Sequence, residues 1–146
     1  MSGKAGAAKA VSLSFVAFDY GSQRLGVATG NTVIGHATPL TTLTREGQAR
    51  FDAIGRLLAE WKPDALVDGV PFHPDGAAHE NTARARRFAR QLEGRFGLPV
   101  HEVDERYSTT EALSDHARDA DTDSAAAAII LDQYLATLAR NRRAAP

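Results

Sequence analysis

Residues 16–30, VAFDYGSQRLGVATG, constrain this chain more than any other stretch. Apolar and small residues (Phe15, Val16, Ala17, Phe18) run into one carboxylate, Asp19, where the run ends. A polar, glycine-containing segment follows, and then a second strand-like run over residues 25–29. Two β-rich segments joined by a short polar loop predict a β-hairpin. An acid at the end of a buried central strand must be hydrogen-bonded, ion-paired or metal-bound, because an isolated charge in low dielectric is heavily penalised. A satisfied turn aspartate meets that demand too, so Asp19 alone leaves both readings open.

The rest of the chain sets this hairpin in an α/β domain. Residues 13–18 and 25–29 predict the first two strands, and residues 33–40 a third, entered through the turn-prone Gly30-Asn31. The period then changes. Phe51, Ile54, Leu57, Leu58 and Trp61 recur at helical spacing over residues 45–61, and Pro63 stops the helix. Residues 65–70 form the short apolar run of a buried parallel strand, and PFHPDG (71–76) is a loop. A second helix over 80–96 carries Phe88, Leu92 and Phe96 on one side and arginines on the other, ended by Gly97 and Pro99. Residues 100–103 are the last strand, running into Asp104-Glu105-Arg106. Ser108 and Glu111 make a capping box for a short helix to about residue 118, and residues 123–138 form the final helix. The expected architecture is a five-stranded mixed sheet, a three-stranded antiparallel meander plus parallel strands, with helices on both faces. Residues 1–11 are expected to be a disordered tail, 12–140 a single domain and 141–146 a C-terminal tail.

With no cysteine, disulfides and thiolate zinc sites are excluded. No apolar run approaches the ~20 residues of a membrane span, and the first residues lack the apolar stretch of a secretory signal, so a cytoplasmic location is expected. A net charge of −1 argues against a protein that coats nucleic acid wholesale. The positive charge is nonetheless clustered, with Arg84, Arg86, Arg87, Arg90 and Arg95 in one segment. Such a run is most often a solvated helix face, but arginine is also the side chain suited to phosphate.

Two more acids share the placement of Asp19. Glu105 ends the last strand, and Asp123 lies in the first turn of the last helix, where an acid also suits the helix dipole. If the first strand is central and the later strands run parallel to it, Asp19 and Glu105 emerge at one sheet edge, where open α/β sheets build their sites. Oxygen-only ligands call for Mg²⁺ or Mn²⁺, and two such ions ~3.5–4 Å apart can hydrolyse a phosphodiester. Each acid also has a bland role: a turn, a salt bridge from Glu105 to Arg106, a helix cap. All three arising by accident in this order of elements is the weaker account.

Three blocks then resemble the YqgF (RuvX) family, described as Holliday-junction-resolvase-like proteins and as pre-16S rRNA nucleases. They are FDYGSQRLGVA (18–28); GVPFHPDG (69–76) with NTARARRFA (81–89); and DERYSTTEA (104–112) with DSAAAAIILDQYL (123–135). The resemblance spans nearly everything from residue 13 to 138. It implies an RNase H-like fold, Asp19, Glu105 and Asp123 as catalytic and metal-binding acids, and two Mg²⁺ or Mn²⁺ ions. It also implies a metal-dependent endonuclease acting on structured nucleic acid, foremost in maturation of 16S rRNA ends. Branched-DNA resolution, which would need a homodimer, is the alternative, and a non-catalytic nucleic-acid-binding module a weaker one. Arg24 and Arg106 would contact phosphate or orient the carboxylates, and Arg84, Arg86 and Arg87 would hold the nucleic-acid backbone. Gly21 would let substrate approach Asp19 without a Cβ in the way. Some residues depart from the family pattern: Tyr107, Phe72, His73, and Asp68 at a strand position that is usually apolar. Asp121 is an alternative ligand, although the Ser-Ala-Ala after Asp123 favours Asp123. An actin-like ATPase, which shares an Asp-x-Gly motif, is disfavoured because such folds close two domains over the nucleotide and no Walker loop is present. His73 and His79 flank the 71–76 loop and read as solvated loop histidines.

Overall fold

The computed structural model describes residues 12–107 and 120–144. Strands β1 (Ser14–Asp19), β2 (Leu25–Asn31) and β3 (Ala37–Leu43) lead into helix α1 (Gly47–Trp61). Strand β4 (Ala65–Val70), helix α2 (Thr82–Phe96) and strand β5 (Val100–Asp104) follow, then a 3₁₀ turn (Glu105–Tyr107) and helix α3 (Ala120–Ala144). The sheet order is β3-β2-β1-β4-β5, with the meander antiparallel and β4 and β5 parallel to β1. The central strand is β1 and the later strands run parallel to it, the condition under which Asp19 and Glu105 emerge at one sheet edge. The expected tail over 1–11 and the capped helix over 108–118 lie outside the described residues.

The pleat sorts the core into two layers. Val16, Phe18 and Leu66 pack with Phe51, Ile54, Leu58, Phe88 and Leu92, so α1 and α2 cover one face. Phe15, Ala17, Val67 and Val103 pack with Ile130, Leu131 and Leu135, so α3 covers the other. Where α3 crosses β2 the contact is alanine on alanine, Ala28 against Ala127 and Ala128, which lets the backbones approach closely. The Ala-rich start of the last helix is thus a packing device.

Two boundaries differ from expectation. The third strand is Ala37–Leu43 and not residues 33–40: Val33 and Ile34 are 75% and 67% exposed in a turn. Asn31 closes that turn, accepting from the Ile34 N–H through its side chain (2.8 Å) and from the Gly35 N–H through its carbonyl (2.9 Å), and Gly35 takes a φ of +79°. Helix α3 runs through Ala144, beyond both the expected helix end at 138 and the expected domain end at 140.

Candidate active site

Asp19 closes β1, and its register partners on both sides are glycines: Gly26 on β2 and Gly69 on β4. Both glycines occupy places where a side chain would collide with another acid's setting. A Cβ at Gly26 would fall on the backbone carbonyl of Asp123, and one at Gly69 would sit 3.0 Å from Glu105 Oε2 and run into Ile130. The missing side chains therefore seat the start of α3 over β2 and the Glu105 side chain over β4, with Asp19 between them. Adjacent strands are roughly 4.8 Å apart, so the three acids form one row across three strands at one sheet edge. Gly26 and Gly69 both lie within the blocks that carry the family resemblance, but their steric roles were not read from the sequence. A glycine inside a strand is the signal that marks such a close approach.

A cleft of about 370 Å³ opens beside this row, lined by Asp19, Tyr20, Gly21, Gln23, Arg24, Asn81 and Asp123. Arg24 Nε lies 2.7 Å from Asp123 Oδ2, an ion pair in which Asp123 is almost wholly buried. Among the described residues, no three His, Asp or Glu side chains close into a ready cation cage; the acids form an open row. Their chemistry, carboxylate oxygens without sulfur or imidazole, nevertheless fits hard divalent cations.

The turn after Asp19 is held from beneath by a residue that sequence reasoning missed. Buried Arg50 of α1 donates to the carbonyls of Gly21 (2.9 Å), Ser22 (3.3 Å) and Arg45 (2.9 Å). Burial lowers its pKa from the usual arginine value, while Tyr20 and Glu46 oppose that shift. Gly21 is required by this turn, since a Cβ there would strike the Arg24 carbonyl.

The arginines divide by role. Arg84, Arg86 and Arg87 are exposed on α2, and at ~100° per residue Arg84 and Arg86 stand about 160° apart around the helix. Arg84 reaches Asn81 Oδ1 (3.4 Å) at the cleft, whereas Arg86 reaches Glu102 of β5 (3.5 Å). Arg106 pairs with Asp104: its Nε donates to both carboxylate oxygens (3.1 Å each) and Nη2 donates to Oδ2 (2.7 Å). These bonds hold the Asp104 carboxyl below the usual carboxylate range. Arg95 packs over the Phe51 ring, 4.0 Å from its centroid. His73 and His79 lie ring against ring (5.0 Å), with His79 Nδ1 accepting from the Asn81 N–H.

Asp68 takes no part in the row. It lies on β4 beside Phe18 and Glu102, wholly buried, with neither carboxylate oxygen hydrogen-bonded. Burial first, then the charges of Glu105, Glu102 and Asp19, push its pKa well above the ordinary aspartate value.

The fold is shared with Thermus thermophilus RuvC bound to a Holliday junction substrate, at a TM-score of 0.56 and 15% identity, over 87% of this chain and 96% of that one. A protein of Albidiferax ferrireducens named "Putative pre-16S rRNA nuclease" is 62% identical over 86% of this chain and 79% of its own length. One of the same name from Polaromonas is 61% identical over 86% and 89%. The RuvX family, described as Holliday junction resolvase, matches residues 13–137. With that match running through β1, β4, β5 and α3, the chain belongs to the RuvX family.

Proposed function

We propose that this protein is a metal-dependent endonuclease that hydrolyses phosphodiester bonds in structured nucleic acid, with Asp19, Glu105 and Asp123 as its catalytic acids and a 16S rRNA precursor as its substrate. The observation that carries this reading is the row itself: one acid flanked in register by two glycines, each making room for another acid. The two strand glycines let α3 pack closely and bring three carboxylates together, a like-charge cost that a bound cation would offset.

Two Mg²⁺ or Mn²⁺ ions on these oxygens would activate water and stabilise the leaving oxygen. The chain's own residues do the rest. Arg24 fixes Asp123 by holding its buried oxygen, as outer partners of metal ligands do. Arg50 keeps the turn behind Asp19 in place. Arg84, Arg86 and Arg87 offer guanidinium groups to backbone phosphates. Arg106 is committed to Asp104, so its role is to position the segment bearing Glu105.

RNA is favoured by the names of relatives above 60% identity, and work on an rRNA precursor belongs in the cytoplasm. Branched DNA is the second reading, favoured by the family's description; a symmetric junction would call for a homodimer. Matched labelled substrates separate these: an rRNA-end mimic, single-stranded RNA and DNA, and a four-way DNA junction. Each is incubated with Mg²⁺, Mn²⁺ or chelator, beside Asp19→Asn protein. Metal-dependent cutting that the variant loses supports the nuclease, and the preferred substrate decides the polymer. Equal binding by both proteins without cutting under any metal would leave a non-catalytic binding module.

A further inference from the structure

We propose that Phe72 is a stacking platform for an unpaired nucleobase beside the scissile phosphate, with Arg86 as its displaceable cover; this rests on the nuclease reading above. Phe72 stands three residues beyond Gly69, the register partner of Asp19. Three residues span at most ~10 Å, so a base on Phe72 belongs to a nucleotide only a few steps from a phosphate at Asp19.

The ring is held ready by its loop. Phe72 and Ala78 form an antiparallel bridge; the His73 N–H donates to the Ala77 carbonyl (2.9 Å) and the Gly76 N–H to the His73 carbonyl (2.8 Å). Asp75 Oδ1 accepts from the Ala77 N–H (2.9 Å), and buried Thr82 donates its hydroxyl to the Pro71 carbonyl beneath. The segment is a closed miniature hairpin, so presenting the ring to a ligand costs little ordering.

Two guanidinium groups lie over the ring, and they differ. Arg106, 5.6 Å from the ring centroid, is fixed by Asp104 and packs against Gly76, where a Cβ would sit 3.2 Å from its Nη1. Arg86, 5.2 Å from the centroid, is tied to the sheet by Glu102 at 3.5 Å, and both side chains are more than two-fifths exposed. A surface pair of that kind contributes little. Arg86 can therefore leave Glu102 and stack on an arriving base or turn to its phosphate. Aromatic faces and arginine planes are what proteins use to hold splayed bases, and a base inside a duplex has no free face to offer. The platform thus selects an unpaired nucleotide next to the cleavage point.

The test compares wild type, Phe72→Leu and Phe72→Trp. Leucine keeps an apolar anchor for the loop and removes the π-face. Affinity is measured in chelator, to prevent cleavage, for a single-stranded RNA and for its fully paired duplex. The single strand carries 2-aminopurine at each position in turn. The leucine variant should bind the single strand about 5- to 150-fold more weakly and the duplex within about twofold of wild type. Tryptophan should restore single-strand affinity. One 2-aminopurine position should be quenched by wild type and tryptophan but not by leucine. Wild-type binding to both RNAs with leucine equal on the single strand, or weaker on both alike, overturns the platform and leaves the nuclease reading standing. Wild type that binds neither RNA also overturns the platform, while the nuclease reading is decided separately by the cleavage assay.

Discussion

Asp19 on β1 and Asp68 on β4 lie on neighbouring strands, offset by a single residue: Asp19 faces Gly69, while Asp68 faces Phe18. The pleat sends them to opposite sides of the sheet. Asp19 meets the row of acids beneath α3 and lines an open cleft with Arg24 and Asp123. Asp68 meets the layer of Phe18, Leu66 and Phe88 under α2 and loses all contact with water. Identical chemistry one step along a strand becomes a candidate cation ligand on one face and, on the other, a buried acid whose pKa burial pushes up. Neighbouring position in the sheet therefore says little about function until the face is known.

The largest expected contrast is in catalysis. Asp19→Asn keeps the shape and removes the charge, so metal-dependent cleavage should fall by more than the roughly 100-fold that loss of an outer partner costs a metal site. Asp68→Asn should stay within a few-fold of wild type in the same assay. Equal losses would show that Asp68 serves the site through the sheet, and the two-face contrast would collapse.

The glycines sharpen the same contrast. Gly26→Ala sets a methyl group against the Asp123 backbone, which cannot swing aside; Gly69→Ala meets the Glu105 and Ile130 side chains, which can. Overpacking costs about 1–3 kcal/mol, with Gly26→Ala at the upper end and Gly69→Ala at the lower, read from urea midpoints. Gly69→Ala should lose cleavage out of proportion to its stability, because what it displaces is a carboxylate. Unchanged cleavage in Gly69→Ala would detach Glu105 from the chemistry.

A third contrast concerns charge on α2, the helix that covers the Asp68 face. Each phosphate-contacting arginine adds about 0.9 to the slope of log affinity against log salt on duplex nucleic acid. Arg84→Ala and Arg87→Ala should each flatten that slope by nearly one. Arg86→Ala should flatten it by about 0.7 on single strands, where the guanidinium turns to the phosphate of the stacked nucleotide, and by less on duplex. Slopes identical to wild type for all three would return the cluster to an ordinary solvated face.

Much of this arrangement was legible from residue pattern. Periodicity located the strands and helices, and acids at element ends named the row, because an apolar run terminated by a carboxylate is visible without coordinates. The exceptions have physical causes. Val33 and Ile34 look like strand, yet Asn31 and Gly35 in a tight turn outweigh their β-propensity. Arg106 was open to phosphate contact, to orienting the carboxylates or to an ion pair, and the fold pairs it with Asp104, two residues away. Arg50 lies on a helix whose apolar stripe drew attention elsewhere, and only the fold brings it under the turn at residues 21–22. The seats at Gly26 and Gly69 depend on register across three strands, which pattern alone does not supply.

The finest contrast is thermodynamic and belongs to Asp68. Its folded-state pKa lies well above the unfolded value, through burial and then through Glu105, Glu102 and Asp19. Between those two values the native protein keeps a proton that the unfolded chain has released. The unfolded state then binds fewer protons, so stability falls as pH rises. The contribution is fully present below the unfolded aspartate pKa near ~4 and is lost progressively up to the raised native value, at no more than about 1.4 kcal/mol per pH unit. Asp68→Asn removes the titration while keeping the shape. The stability difference between variant and wild type, from denaturant melts at successive pH values, should therefore move steadily in the variant's favour as pH rises from 4. A constant gap for Asp68→Asn would mean that its carboxyl titrates as an ordinary acid and that water reaches it through the sheet.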